Sequence, residues 1–269
     1  MKRRRFRTEK LRKGIYLIPN LCTTASLFLG FFAIIRAAKG EYIPAAWSIL
    51  LAGLFDMFDG SLARLTRHTS QFGIEYDSLC DLISFGVAPA FLMHQWALHG
   101  FGRIGAMAAF LFAACGALRL ARFNVQMDKE EAIDFQGLPI PMAAYMLATT
   151  IIFYKSIFKH ITPIHNEWLI GLTLLLSVLM VSTFCYRSLK HLELKRYMSF
   201  ALLVSLVSLL VVVATRPQVS LWCFSIAYIL SAPIEGLVRL VLRRPAQRRV
   251  KNRKEEKLDE KVRLLRSGD

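Results

Sequence analysis

DMFDGSLARLTRHTSQFGIEYDSLCD, residues 56–81, sets four aspartates and a glutamate beside or inside stretches apolar enough to enter a lipid bilayer. An ionisable side chain at that depth is costly unless it meets a partner, an ion or a water-filled cavity. Asp56 and Asp59 are three residues apart and Asp77 and Asp81 four, so on helices each pair occupies one face about a turn apart. Between the pairs, Arg64, Thr66, Arg67, His68 and Ser70 read as a polar turn. The turn makes the two helices antiparallel neighbours whose acidic faces meet. Asp56 and Asp81 each stand roughly 12–15 Å from it at the helical rise, which predicts a cluster within the cytosolic leaflet.

Working outward, apolar blocks of bilayer-crossing length recur along a 269-residue chain that is 55% hydrophobic and has positive mean hydropathy. The reading is an all-α polytopic membrane helix bundle of about eight spans, near 18–38, 43–65, 71–97, 103–123, 138–158, 167–186, 197–214 and 219–240. Outer-membrane strands would instead show shorter alternating segments. Net charge is +16, and the Lys and Arg residues crowd into the two ends. With both termini cytosolic, 29 of the 35 Lys and Arg fall on the cytosolic side. This divides the chain into a basic juxtamembrane segment (1–17), a membrane domain (18–240) and a basic charged tail (241–269). The basic runs flank spans and carry no nucleic-acid-binding module, so anionic lipid, not nucleic acid, is their expected partner. The first apolar block lacks a small-residue cleavage site and reads as a retained helix. Five scattered cysteines form no metal or disulfide pattern.

Neighbouring carboxylates about 4 Å apart repel by roughly 4 kcal/mol at an effective dielectric of 20. Four of them require either shared protons, as in a proton relay, or cations, and all-oxygen ligands suit Mg²⁺ or Mn²⁺. Glu75 falls on another face, in a solvated or outer role. Gly60, Ala63 and Gly73 lie beside the aspartates and leave room either for a bulky group or for close helix packing. A divalent-cation transporter would also carry intramembrane aspartates, but near the midplane and in two related halves. No acidic counterpart follows residue 138.

Written out, Asp56-x2-Asp59-Gly60-x2-Ala63-Arg64-x8-Gly73-x3-Asp77-x3-Asp81 resembles the signature of the CDP-alcohol phosphatidyltransferase family at every fixed position. IPNLCTTASLFLGF (18–31), GALRLARFNV (116–125) and FQGLPIPMAA (135–144) are similar to stretches of its bacterial phosphatidylserine synthase branch. The resemblance implies two divalent ions, Mg²⁺ or Mn²⁺, held by Asp56, Asp59, Asp77 and Asp81 against the pyrophosphate of CDP-diacylglycerol. It implies that Gly60, Ala63 and Gly73 let the cytidine end lie close and that Arg64 adds positive charge near the phosphates. It also makes Asp81 the general base for the L-serine hydroxyl. The same chemistry with another alcohol, such as glycerol 3-phosphate or an inositol phosphate, stays open. Arg119, Arg122 and Asn124 are candidates for binding the serine carboxylate or a phosphate, against the alternative of arginines that snorkel to lipid. A homodimer in the bacterial cytoplasmic membrane, with its site facing the cytosol, completes what the resemblance implies.

Overall fold

The computed structural model describes residues 17–66, 71–127, 137–159, 167–184 and 215–234, with every regular element among them helical. Helix α1 (Leu17–Ala38) turns sharply into α2 (Tyr42–Thr66). Because lipid tails are as apolar as Leu, burial alone does not drive two helices together in a bilayer; close backbone approach does. The α1–α2 seam supplies it through Ala33, Ala37, Ala45, Ala46 and Ala52, all fully buried. Larger side chains on the opposite surfaces, such as Phe28 and Phe31 on α1, point outward.

Helix α3 begins as Gln71–Asp81 and continues through a π-helical turn, Leu82–Val87, a short α-helical piece, Ala88–Met93, and a second π-helical turn, His94–Leu98. The first π turn has a local cause. Pro89 lacks an N–H and its ring would crowd the carbonyl four residues back, and a widened turn relieves both. The widening begins just after Asp81.

A 3₁₀ turn, His99–Phe101, leads to Gly102, whose φ of 56° favours a residue without a Cβ. There the chain reverses, and α4 (Gly102–Met127) runs back along α3. Helix α5 (Ile140–Phe158) fills the block expected at 138–158, with Pro139 as its N-cap and Pro141 in its first turn. Helix α6 (Trp168–Val181) packs on α4, and α7 (Pro217–Ile234) on α5, where Trp222 stacks on Phe153 at 4.1 Å and donates from Nε1 to Thr150 Oγ1 at 3.2 Å. Phe85, Phe112, Ile49 and Leu147 are fully buried in the common core.

The eight-span expectation is corrected. Among the described residues, four helical stretches are long and apolar enough to cross a membrane: Asn20–Ala38, Gln71–Gln126, Ile140–Phe158 and Pro217–Ile234. The stretch Gln71–Gln126 is contiguous in helical residues but turns back at Gly102, so it holds the blocks at 71–97 and 103–123 as the antiparallel pair α3 and α4, and α2 carries Asp56, Asp59 and Arg64 in its second half. The block at 167–186 yields a 14-residue helix, about 21 Å long at the helical rise and short of a hydrocarbon core of about 30 Å. The expected span at 197–214 lies outside the described residues. So do 1–16 and 235–269, with the terminal segments and the cytosolic placement of both ends. What stands is an all-α integral membrane protein.

Candidate metal centre and active site

Three helices build the acidic centre, and their directions follow from the contacts. Thr24 Oγ1 meets Tyr76 Oη at 2.9 Å and Ser84 Oγ donates to the Ser26 carbonyl at 3.0 Å, so α1 and α3 run parallel. Helix α2 packs on α1 in the opposite sense and so runs antiparallel to α3 as well, which pairs Asp59 with Asp77 and Asp56 with Asp81. The two acidic faces meet as their spacing requires.

Ligand atoms of Asp56, Asp59 and Asp77 all lie within 4.8 Å of one another. Asp81, one turn further along α3, is not in that group; its carboxyl stands beside Asp56 within hydrogen-bonding reach. Thr23 of α1 donates to Asp59 Oδ2 at 2.9 Å, anchoring the most buried aspartate from a third helix. Asp77 Oδ1 is buried without a hydrogen-bond partner. A buried carboxylate oxygen left unpaired is expensive, and an inward-facing set of carboxylate oxygens is the donor set of a hard divalent cation. The residues therefore fit a divalent cation, with Asp56, Asp59 and Asp77 as its holders.

The nucleotide-side candidates are placed unevenly. Gly73 lies in the first turn of α3, one turn before Asp77. Gly60, Ala63 and Arg64 continue the backbone of α2, and their side chains lie outside the described residues.

The three acceptor-side candidates on α4 part company. Arg122 Nη1 donates to the Val181 carbonyl at 3.3 Å, satisfying the C-terminal end of α6. Asn124 Nδ2 donates to Ser78 Oγ at 3.0 Å and to Glu75 Oε2 at 3.4 Å, tying α4 to the side of α3 away from the aspartates. This gives Glu75 its own role, as a helix tie. Arg119 differs from Arg122 and Asn124: its Nε is buried without a hydrogen-bond partner, and Asp81 and Tyr228 on α7 lie within electrostatic range of it.

Sequence reasoning missed Thr23, Tyr145 and Tyr228. Each is a hydroxyl within an apolar helix, and that is the signal that marks them. Their partners lie on other helices, 36 residues away for Thr23 and Asp59.

The family model for CDP-alcohol phosphatidyltransferases matches residues 16–181. The chain belongs to that family. Helices α1 to α6 fall within the matched family segment and α7 beyond it. A CDP-diacylglycerol–serine O-phosphatidyltransferase of Helicobacter pylori is 36% identical over 228 residues, covering 84% of this chain and 92% of that protein. One of the same description from Bacillus subtilis is 36% identical over 141 residues, 52% of this chain and 78% of its own. An archaetidylserine synthase of Methanothermobacter thermautotrophicus is 35% identical over 181 residues, 66% of this chain and 72% of its own. The protein is thus a membrane-embedded transferase of this family, with its signature aspartates converging in space.

Proposed function

We propose that the protein transfers the phosphatidyl group of CDP-diacylglycerol to the hydroxyl of L-serine, giving phosphatidylserine and CMP. The observation that carries the reading is the convergence of Asp56, Asp59 and Asp77, with Asp81 beside them, in a chain similar over most of its length to serine phosphatidyltransferases.

In this reading Asp56, Asp59, Asp77 and Asp81 hold two ions, Mg²⁺ or Mn²⁺. When bound, the ions offset the charge of the pyrophosphate and make its phosphorus more electrophilic. Gly60, Ala63 and Gly73 present little side-chain bulk to the nucleotide, and Arg64 supplies a charge-assisted contact to phosphate. Asp81 accepts the serine hydroxyl proton as that oxygen bonds to the lipid-bearing phosphorus. The bond from this phosphorus to the CMP oxygen breaks, and CMP leaves. Most of the rate enhancement comes from holding the groups in line.

Arg119 is the α4 residue best suited to the serine carboxylate, because its buried Nε has no hydrogen-bond partner and it lies within electrostatic range of Asp81, while Arg122 and Asn124 are engaged elsewhere. The site faces the cytosol of a bacterial cytoplasmic membrane, where the liponucleotide head group is presented, and the enzyme works as a homodimer.

The test is CMP release by the purified protein with CDP-diacylglycerol and Mn²⁺, comparing L-serine, glycerol 3-phosphate and no acceptor. Release with serine alone supports the assignment. Release with glycerol 3-phosphate alone moves the protein to another branch, and none with any alcohol removes the activity.

A further inference from the structure

The proposed reaction leaves one hydroxyl at the acidic centre without a task, that of Tyr145 on α5. Its ring is fixed on two sides. Toward α3 it stands edge-on to Phe85, with centroids 6.3 Å apart and planes at 89°, and Phe85 lies one turn beyond Asp81. Toward α2 its hydroxyl occupies the notch left by Gly53, one turn before Asp56. A Cβ on Gly53 would fall 1.6 Å from Tyr145 Oη and 2.4 Å from Cζ, so no other residue at position 53 leaves the hydroxyl in place.

The ring is therefore wedged between the two acidic helices, one turn behind the Asp56–Asp81 pair. Those two aspartates are the charges within electrostatic reach of its hydroxyl. An ionised carboxylate only accepts hydrogen bonds, whereas a phenol can donate one. Thr23 serves Asp59 in this way from α1; Asp56 and Asp81 stand within hydrogen-bonding reach of each other, and a donor from a third helix would fix the pair as Thr23 fixes Asp59.

We propose that Tyr145 is a positioning residue of the metal centre, whose hydroxyl donates to the Asp56–Asp81 pair and holds both carboxylates in their ion-binding orientation. The proposal rests on the reading of the acidic centre as a divalent-cation site. Groups that orient ligating carboxylates change metal affinity or activity by about 10- to 100-fold when removed. A tyrosine that merely fills space would act through its ring, which phenylalanine retains.

The experiment is a Mn²⁺ titration of the purified full-length protein, read by the rise in its melting temperature. Tyr145→Phe is expected to need about tenfold more Mn²⁺ for half the stabilisation, with kcat lowered by a similar factor and KM for CDP-diacylglycerol little changed. Its melting temperature without Mn²⁺ should stay near that of the wild type. Phe85→Leu, which loosens the ring but keeps the hydroxyl, should lower the metal-free melting temperature and shift the Mn²⁺ midpoint less.

Equal Mn²⁺ midpoints for wild type and Tyr145→Phe would overturn the proposal, as would a wild type that Mn²⁺ does not stabilise. Should Tyr145→Phe fail to fold, Gly53→Ala displaces the hydroxyl while keeping the tyrosine, and a normal midpoint there is equally damaging. A wild type that binds Mn²⁺ but releases no CMP would refute the proposed reaction alone, and the Mn²⁺ midpoints would still decide the role of Tyr145.

Discussion

The two polar faces that α3 presents make opposite use of hydrogen bonds. On the side toward α4, Glu75, Ser78 and Asn124 satisfy one another within 3.0–3.4 Å, and nearby Arg122 closes on the Val181 carbonyl. On the side toward α2, Asp77 Oδ1 is buried without a partner, as is Arg119 Nε, which lies near Asp81. Buried polar atoms are nearly always paired in folded proteins. The satisfied side is structural, therefore, and the unsatisfied side is shaped for a ligand.

Substitutions on the two sides should separate accordingly. The largest effect is expected for Asp81→Asn, which removes the base: turnover should fall by about 10²- to 10⁴-fold while binding of CDP-diacylglycerol, measured by equilibrium titration, is largely kept. An active Asp81→Asn enzyme would end its assignment as base. Next comes Arg119→Gln. Losing a charge-assisted contact to the serine carboxylate is worth about 1.5–3 kcal/mol, or roughly 10- to 100-fold in kcat/KM for serine. Arg122→Gln is the control, and a serine defect as large as that of Arg119→Gln would dissolve the distinction between them.

Thr23→Val removes one neutral donor from Asp59, and a net loss of about 1 kcal/mol corresponds to roughly fivefold weaker Mn²⁺ binding. Titration of the metal-stripped protein measures it, and an unchanged midpoint would make Thr23 a packing residue. The smallest kinetic effect belongs to Asn124→Ala. It should lower stability to unfolding by about 1 kcal/mol and leave serine kinetics almost unaltered. A raised KM for serine would return Asn124 to the acceptor site.

The sequence carried the acidic centre further than the architecture around it. Spacing alone put Asp56 with Asp59 and Asp77 with Asp81, because a helical face is a local property. The polar turn between them then implied the antiparallel meeting of α2 and α3, and the structure has it. The apolar block at 138–158 likewise matched α5, Ile140–Phe158, to within two residues.

The span count failed because hydropathy measures apolar length and not where a helix ends. Trp168–Val181 is apolar but for Thr173 and Ser177 yet only 14 residues long, and α2 has Asp56, Asp59 and Arg64 in its second half. Arg119, Arg122 and Asn124 looked equivalent in LRLARFN. Only the neighbours supplied by α3, α6 and α7 distinguish them, and those contacts join residues far apart in the chain. Tyr145 was hidden for the same reason: nothing near it in sequence reveals that Gly53 and Phe85 hold it one turn from the aspartates.

The central claim is that the unsatisfied face of α3 closes on divalent cations. The most direct measurement is the number of Mn²⁺ ions bound per chain by the purified, metal-stripped protein in the presence of CDP-diacylglycerol, read from the spin-resonance signal of the free ion. Two bound ions per chain, lost in Asp77→Asn, are expected. No binding, or binding indifferent to Asp77, would contradict it.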